Sequence, residues 1–569
     1  MSLTPKFIRG DPDRVPMTRS DWFIGIDLGT GSCKSIVVDE EARVLGFNSV
    51  EYSGLQAQDR WQEQDPKELL KAAVLSAKGA VVASDVRPET CAGLSIGGAL
   101  HSVLALDRRG DPLTGVFTWA DGRAVEQSRA LKGQPVAKQL YQETGCPVHG
   151  MYPLYKVLWL RDKRRDVFEK AWRYVSAKEY VFARLTGEYL ADYCLAAGSA
   201  FLHTRTLRWN PLCLELAGIR EEQLSTLCSP FTVHRGLNPE FADGIGIQED
   251  VPVVVGSSDA ANSNLGAGAV HPWQATCMVG TSGALRVISP HPILDEKARS
   301  WCYAVDQSHW LVGGAINNGG VALSWLRDCL NQALSELSPG QSLAFDDVIA
   351  LAETAKPGAG GVICLPLFAG ERSPNYNLNA RALFFGMTLD HGVKHLARAL
   401  LEGIAFRFRS LKEVLIDVGV DVRQILASGG FTKSPLWLQV MADALDRELM
   451  IPAWGETSAL GAAFWAVLSA RGETALEKAG VFVKPGESCR PNPESVEIYN
   501  RMYPLFERLY QSLENSFDEV AELQTELGRH NGEIQGHLDC HSRPSTSLRI
   551  NSGGSPEKHG NTGFPPSRE

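Results

Sequence analysis

Along this chain, short apolar runs end in glycine-rich turns, and stretches of helical spacing lie between them. Phe23-Ile-Gly-Ile26 reads as a buried strand, Asp27-Leu-Gly29-Thr30-Gly31-Ser32 as a tight turn, and Ile36-Val-Val38 as the returning strand. Residues 44–50 read as a third strand. Asp65-Pro66 marks a helix start, with proline at the first helical position, and Leu69, Leu70, Ala73, Val74 and Ala77 follow at helical spacing. Residues 91–97 and 103–107 read as further strands, the second closed by a turn at 108–112. Residues 119–230 read as mainly helical. Val251-Pro-Val-Val-Val-Gly256 returns to strand, and residues 274–289 repeat the opening design: strand, the turn Gly280-Thr-Ser-Gly283, strand. A long helix is predicted at 395–418, then a strand running into Gly429-Gly430, and helices at 436–445, 456–464 and 493–527. Strands alternating with helices predict an α/β chain. Two Gly-Thr hairpins about half a chain apart predict a duplicated domain.

Composition sets bounds on this picture. A chain of 569 residues holds at least two domains. The net charge of −10 argues against a general nucleic-acid binder. No apolar run reaches the ~18 residues of a membrane helix. Residues 1–20 are polar, carry three prolines and lack a signal-peptide core, which predicts a disordered leader. Residues 528–569 are rich in His, Ser, Gly and Pro and read as a disordered tail without catalytic duty. The twelve cysteines are scattered with no Cys-x-x-Cys pair, a pattern of reduced thiols in a cytoplasmic protein.

Four elements carry the chemistry. They are Asp27-Leu-Gly29-Thr30-Gly31-Ser32, Gly280-Thr281-Ser282-Gly283, Ser428-Gly429-Gly430-Phe431 ahead of a helix, and Gly256-Ser-Ser-Asp259 just past a strand end. Turns rich in free N–H groups and hydroxyls cradle phosphate, and a carboxylate at a strand end suits a hydrated magnesium ion. There is no Walker-type Gly-x-x-x-x-Gly-Lys-Ser/Thr and no Gly-x-Gly-x-x-Gly opening a helix. Two facing Gly-Thr turns can instead hold a nucleotide triphosphate from both sides. The third glycine turn can pass close to a purine and its ribose.

This order resembles the actin-like ATPase superfamily, and more narrowly the FGGY carbohydrate kinases, over residues 22 to about 510. Trp61-Gln-Glu63-Gln-Asp65-Pro66, Trp119-Ala-Asp121-Gly-Arg123 and Gly429-Gly430-Phe431 through Ser434-Pro-Leu-Trp437 resemble family motifs. Within the family, the gluconokinase group is the nearest resemblance. The phrases carrying it include Pro153-Leu-Tyr-Lys-Val-Leu-Trp159, Ser257-Ser-Asp-Ala-Ala-Asn, Gly280-Thr-Ser-Gly-Ala-Leu-Arg286 and Gly370-Glu-Arg372. Gly122 departs from the Asn that gluconokinases often carry, which bears on substrate choice and not on the reaction.

The resemblance implies two ribonuclease-H-like domains around a central cleft. A sugar-binding N-terminal domain would span 21–255 and a nucleotide-binding C-terminal domain 256–510, with 511–527 ending the last helix. It implies ATP and Mg²⁺ as cofactors and transfer to the terminal hydroxyl of D-gluconate, a small sugar acid. Asp259 is then the catalytic base; the other reading of this residue is a helix N-cap. Asp27 orients Mg²⁺ through water, or is a plain turn residue. Thr30, Ser32 and Lys34 meet the phosphates from one side, Gly280 and Thr281 from the other, and Gly320, Gly430, Phe431 and Ser434 neighbour purine and ribose. His101, Trp119, Asp121 and Arg123 bind the acceptor. Asp accepts from hydroxyls and Arg grips a carboxylate, but Asp121 and Arg123 also read as a buried structural ion pair. Arg286 is a further candidate for contact with an acidic sugar. The alternatives are a kinase for xylulose or ribulose, or a sugar-independent ATPase switch. Leu100-His101 stands where glycerol kinases carry Arg-Glu, which argues against glycerol. No nucleic-acid or membrane partner is expected, and a homodimer is left open.

Overall fold

The computed structural model describes residues 21–52, 56–58, 61–338 and 340–531. The expected leader at 1–20, and residues 532–569 of the expected tail, lie outside them.

Two sheets organise the chain. In the first, the strands Trp22–Leu28, Ser32–Asp39 and Val44–Glu51 run antiparallel, while Cys91–Gly98 and then Pro252–Val254 join Trp22–Leu28 in parallel. The second sheet repeats that plan. Gln274–Val279, Gly283–Ser289 and Trp310–Ile316 run antiparallel, and Gln424–Ser428 and Leu449–Pro452 join in parallel. The two Gly-Thr hairpins therefore occupy equivalent places, as a duplicated chain requires. The first strand of the first sheet is buried along its whole length, which explains its apolar run over residues 23–26, and its counterpart Gln274–Val279 is mostly buried.

The two sheets are joined through a tight helix crossing. Helix Thr457–Arg471 lies on the strands Trp22–Leu28 and Cys91–Gly98 and against helix Asp259–Ala267. A β-carbon at Gly25 would run into the backbone of Ala459 and Ala463. One at Gly461 would strike the backbone of Asn262. Asn262 fixes the crossing with its side chain: its Oδ1 accepts from Trp465 Nε1 at 2.7 Å, and its Nδ2 donates to the Ser257 carbonyl at 3.3 Å. This crossing sets the start of helix Asp259–Ala267, and with it Asp259, against the end of the first hairpin.

Several element boundaries differ from the sequence reading. Residues 119–230 mix seven short helices with small strands such as Arg173–Val175 and Leu190–Asp192. The helix expected at 456–464 continues to Arg471, and the last helix runs Pro493–Asn531, past its expected end. Helices Gly320–Leu337 and Phe345–Glu353 carry weak start signals; the first opens on Gly319 with no capping side chain.

Candidate active site

The first hairpin turn is held from outside as well as by its own bonds. Gly29 N–H donates to the Ser32 carbonyl at 3.0 Å, and Gln64 Nε2 donates to the Thr30 carbonyl at 2.6 Å. Trp119 Nε1 donates to Thr30 Oγ1 at 3.2 Å, so the turn and the Trp119 segment are physically linked. Lys34 pairs with Glu456 at 2.6 Å, a half-exposed bridge from the first hairpin to the start of helix Thr457–Arg471. Asp27, at the end of the first strand, is buried, and its Oδ1 has no hydrogen-bond partner among the described residues. Burial, and then the charge of Asp259, push its pKa up to about 7.

Asp259 opens helix Asp259–Ala267, but it is not the cap. Ser258 takes that role, its Oγ accepting from Ala261 N–H at 3.1 Å. Asp259 Oδ1 accepts from Leu100 N–H at 3.3 Å and Ala260 N–H at 2.8 Å. Burial raises its pKa, and the Arg286 guanidinium nearby offsets part of that rise. A carboxylate with a raised pKa is suited to accepting a proton.

The second Gly-Thr turn is tied to the start of helix Gly320–Leu337. Gly280 N–H donates to the Ser282 carbonyl at 2.9 Å, and Gly320 N–H to the Gly280 carbonyl at 2.7 Å. A β-carbon on Gly319 would come within 2.8 Å of the Ser282 carbonyl oxygen, so glycine is what permits this closure. Gly280 and Thr281 stay exposed. Gly429 sits at φ +96°, and a side chain there would meet the Val279 backbone.

Sequence comparison places this architecture. The family model described as FGGY family of carbohydrate kinases, N-terminal domain, matches residues 22–266, and its C-terminal domain matches residues 275–470. The chain belongs to the FGGY family of carbohydrate kinases. Gluconokinase of Bacillus licheniformis is 35% identical over 513 residues, covering 89% of this chain and 99% of the relative. The crystal structure of gluconate kinase from Lactobacillus acidophilus superposes with a TM-score of 0.82 at 31% identity, covering 88% of this chain and 99% of that one. The ligand-bound xylulose kinase from the same organism matches as well, with a TM-score of 0.82 at 31% identity over 88% of this chain and all of that one. The fold is that of the actin-like ATPases, and FGGY membership makes ATP the phosphoryl donor.

Within this FGGY kinase, the residues singled out from sequence divide into two groups. Asp27 lies within electrostatic reach of Asp259, and Trp119 is bonded to Thr30 in the turn that follows Asp27. His101 is nearby: its neighbour Leu100 bonds Asp259, and its ring stands edge-on to Tyr152 and Tyr303. It sits at φ +66°, Nδ1 bonded to the Gly198 carbonyl at 2.6 Å, and burial lowers its pKa to about 3, so the ring is neutral. Lys156 donates to the carbonyls of His101 at 2.8 Å and Thr118 at 2.6 Å, tying the two segments together.

Asp121 and Arg123 belong to the second group. Their buried side chains are spent on each other: Arg123 Nε donates to Asp121 Oδ1 and Nη2 to Oδ2, both at 2.7 Å. Nη2 also donates to Glu63 Oε1 at 2.6 Å, and Gln62 N–H donates to Asp121 Oδ2 at 2.8 Å. The guanidinium lies over the rings of Phe117, Trp61 and Trp159, 3.8 to 4.9 Å from their centroids. The structural ion-pair reading of this motif is therefore the one that the geometry supports. Phe431 and Ser434 also support rather than line the third turn. Phe431 is buried edge-on against Trp437, and Ser434 caps helix Pro435–Leu445.

Two side chains escaped the site assignment from sequence. Arg372 lies with its guanidinium 4.6 Å from the Trp119 ring centroid, and His149 lies edge-on to Tyr376. The phrase Gly370-Glu-Arg372 was visible in the sequence; its place beside Trp119 was not.

Proposed function

We propose that this chain transfers the γ-phosphoryl group of ATP to the terminal hydroxyl of D-gluconate. The observation that carries the reading is Asp259: a carboxylate of raised pKa, bonded to backbone N–H groups through Oδ1 alone, and set between Asp27 and Arg286. In this reading the acceptor hydroxyl gives its proton to Asp259 as its oxygen bonds to phosphorus, and the bond from phosphorus to the ADP oxygen breaks. The two Gly-Thr turns, through Thr30, Ser32, Gly280 and Thr281, hold the phosphates. Gly320 and Gly430 border the nucleotide. Trp119 and His101 wall the acceptor.

Magnesium fits the residues present. Asp27 offers an orphaned, buried carboxylate oxygen, and Asp259 raises its need for a cation. No group of three or more His, Cys, Asp or Glu side chains among the described residues forms a cage for an ion, which suits a cation arriving with the nucleotide. When bound, Mg²⁺ would neutralise charge developing on the phosphates. Asp27 would hold it through water, and Lys34 would stay at the rim with Glu456.

The proposed division of labour is an acceptor-binding domain over 21–255 and a nucleotide-binding domain over 256–510. No helix among the described residues is long and apolar enough to cross a membrane, and the eleven described cysteines are unpaired, which supports a reducing, cytoplasmic setting. The gluconate assignment draws on the gluconokinase relatives. The equal structural match to a xylulose kinase makes xylulose the second reading. Asp259→Asn tests the base. Gluconate and ATP should still bind by calorimetry while turnover collapses; near-normal turnover would remove Asp259 from the role.

A further inference from the structure

Five arginines are buried among the described residues: Arg123, Arg286, Arg372, Arg398 and Arg407. Three of them have carboxylates in contact. Arg123 holds Asp121 and Glu63, Arg398 holds Glu402 at 2.8 Å, and Arg407 holds Glu371. Arg286 has no ion pair but feels the charge of Asp259. Arg372 has neither. The groups acting on it are the phenols of Tyr376, Tyr303 and Tyr152 and the like charge of Arg286.

Its surroundings offer donors and few acceptors. Arg372 Nη2 donates to the Ile316 carbonyl at 2.9 Å, while Nε is buried without a partner. His149 accepts from Met151 N–H through Nδ1 at 3.1 Å, so its neutral ring carries its proton on Nε2. That Nε2 is also buried with no acceptor, and His149 lies within the electrostatic reach of Arg372. Nε and Nη2 of Arg286 are buried and unpartnered as well. Burial penalises a cation without a counter-charge, and here it draws the Arg372 pKa down to about 10. Such a cluster lacks an anion with lone pairs on more than one oxygen. A carboxylate matches the guanidinium fork; a ketone or hydroxymethyl group leaves the charge unanswered.

We propose that Arg372, stacked on Trp119 and backed by His149 and Arg286, binds the carboxylate end of the acceptor and selects sugar acids over neutral sugars. This rests on the gluconate reading and names the residue behind it. It also moves acid recognition away from Arg123, whose charge is already met inside the protein.

The test compares D-gluconate with D-gluconamide, the same carbon chain with a neutral end, on the full-length chain, with D-xylulose alongside. In the unaltered protein, kcat/KM for gluconate should exceed that for gluconamide by at least ~100-fold, the scale of a lost buried charge pair. In Arg372→Gln that ratio should shrink by about 100-fold, while the thermal midpoint does not fall, since no protein carboxylate loses its partner. Arg372→Lys keeps the charge and loses the fork, and should fall between the two. If Arg372→Gln does not accumulate as folded protein, Arg372→Lys carries the test, and an unchanged ratio overturns the proposal. Gluconate preference retained in full by Arg372→Gln overturns it too and leaves the gluconate reading standing. An unaltered protein that phosphorylates D-xylulose and ignores gluconate overturns the gluconate reading itself.

Discussion

Two buried arginines in this kinase lie against tryptophan rings, and their surroundings are opposite. Arg123 sits over Trp61 and Trp159 with Asp121 and Glu63 answering its charge. Arg372 sits over Trp119 with no carboxylate in ion-pair contact with it among the described residues. The first arrangement is complete without a ligand; the second is not. A residue type that suits a substrate is therefore poor evidence of binding until its partners inside the protein are known. The Trp119–Arg123 motif splits on this criterion. Trp119 faces the first Gly-Thr turn and Arg372, whereas Asp121 and Arg123 fasten the segment to Gln62 and Glu63.

The comparison can be sharpened by separating chemistry, specificity and stability. The largest effect is expected at Asp259. Asp259→Asn should lower kcat by about 10²–10⁴-fold with gluconate affinity kept, as steady-state kinetics and calorimetry would reveal. Arg372→Gln should do the converse, changing acceptor choice more than stability. Arg123→Gln should behave in a third way. Removing one partner of a buried pair costs about 3–5 kcal/mol, so denaturant unfolding should register a large loss while folded molecules keep their gluconate preference. A loss of preference at Arg123 with unchanged stability would erase the distinction between the two regions.

Asp27 gives a pH-dependent effect. Its folded pKa of about 7 lies above that of an unfolded aspartate, near 3.8. Between those values the folded state binds the extra proton, so its contribution is fully present below the unfolded value and is lost as pH rises through about 7. Asp27→Asn should therefore stabilise the ligand-free protein by about 4 kcal/mol at pH 8, with the gain shrinking toward pH 4. Thermal unfolding at both pH values without nucleotide or Mg²⁺ measures this. The smallest effect belongs to Lys34 and Glu456. A half-exposed pair contributes at most about 1 kcal/mol, and a double-mutant cycle on unfolding should return a coupling below that.

Much of the fold was legible because its signals are local. The buried strand at the first sheet's centre appears as the apolar run over residues 23–26, and the repeated Gly-Thr turns expose the duplication. Asp65-Pro66 and Ser434-Pro435 mark helix starts that the structure keeps. Helix Gly320–Leu337 was missed because it begins on glycines that serve the adjoining turn, with no capping side chain to signal it. The site was legible in part. Asp27, Thr30, Trp119 and Asp259 converge as their motifs suggested. Arg372 could not be assigned from sequence because its distinguishing property is the lack of a carboxylate partner among the described residues, which shows only in three dimensions. Phe431 misled for a related reason: an aromatic beside a glycine turn can face a ligand or the core, and here Trp437 holds it in the core.

The most direct measurement is ADP release by the full-length protein with Mg-ATP and, in parallel, D-gluconate, D-xylulose or no sugar. The expected result is turnover that depends on sugar, with kcat/KM for gluconate far above that for xylulose. Preference for xylulose, or ATP turnover that proceeds equally well without sugar, would contradict the assignment.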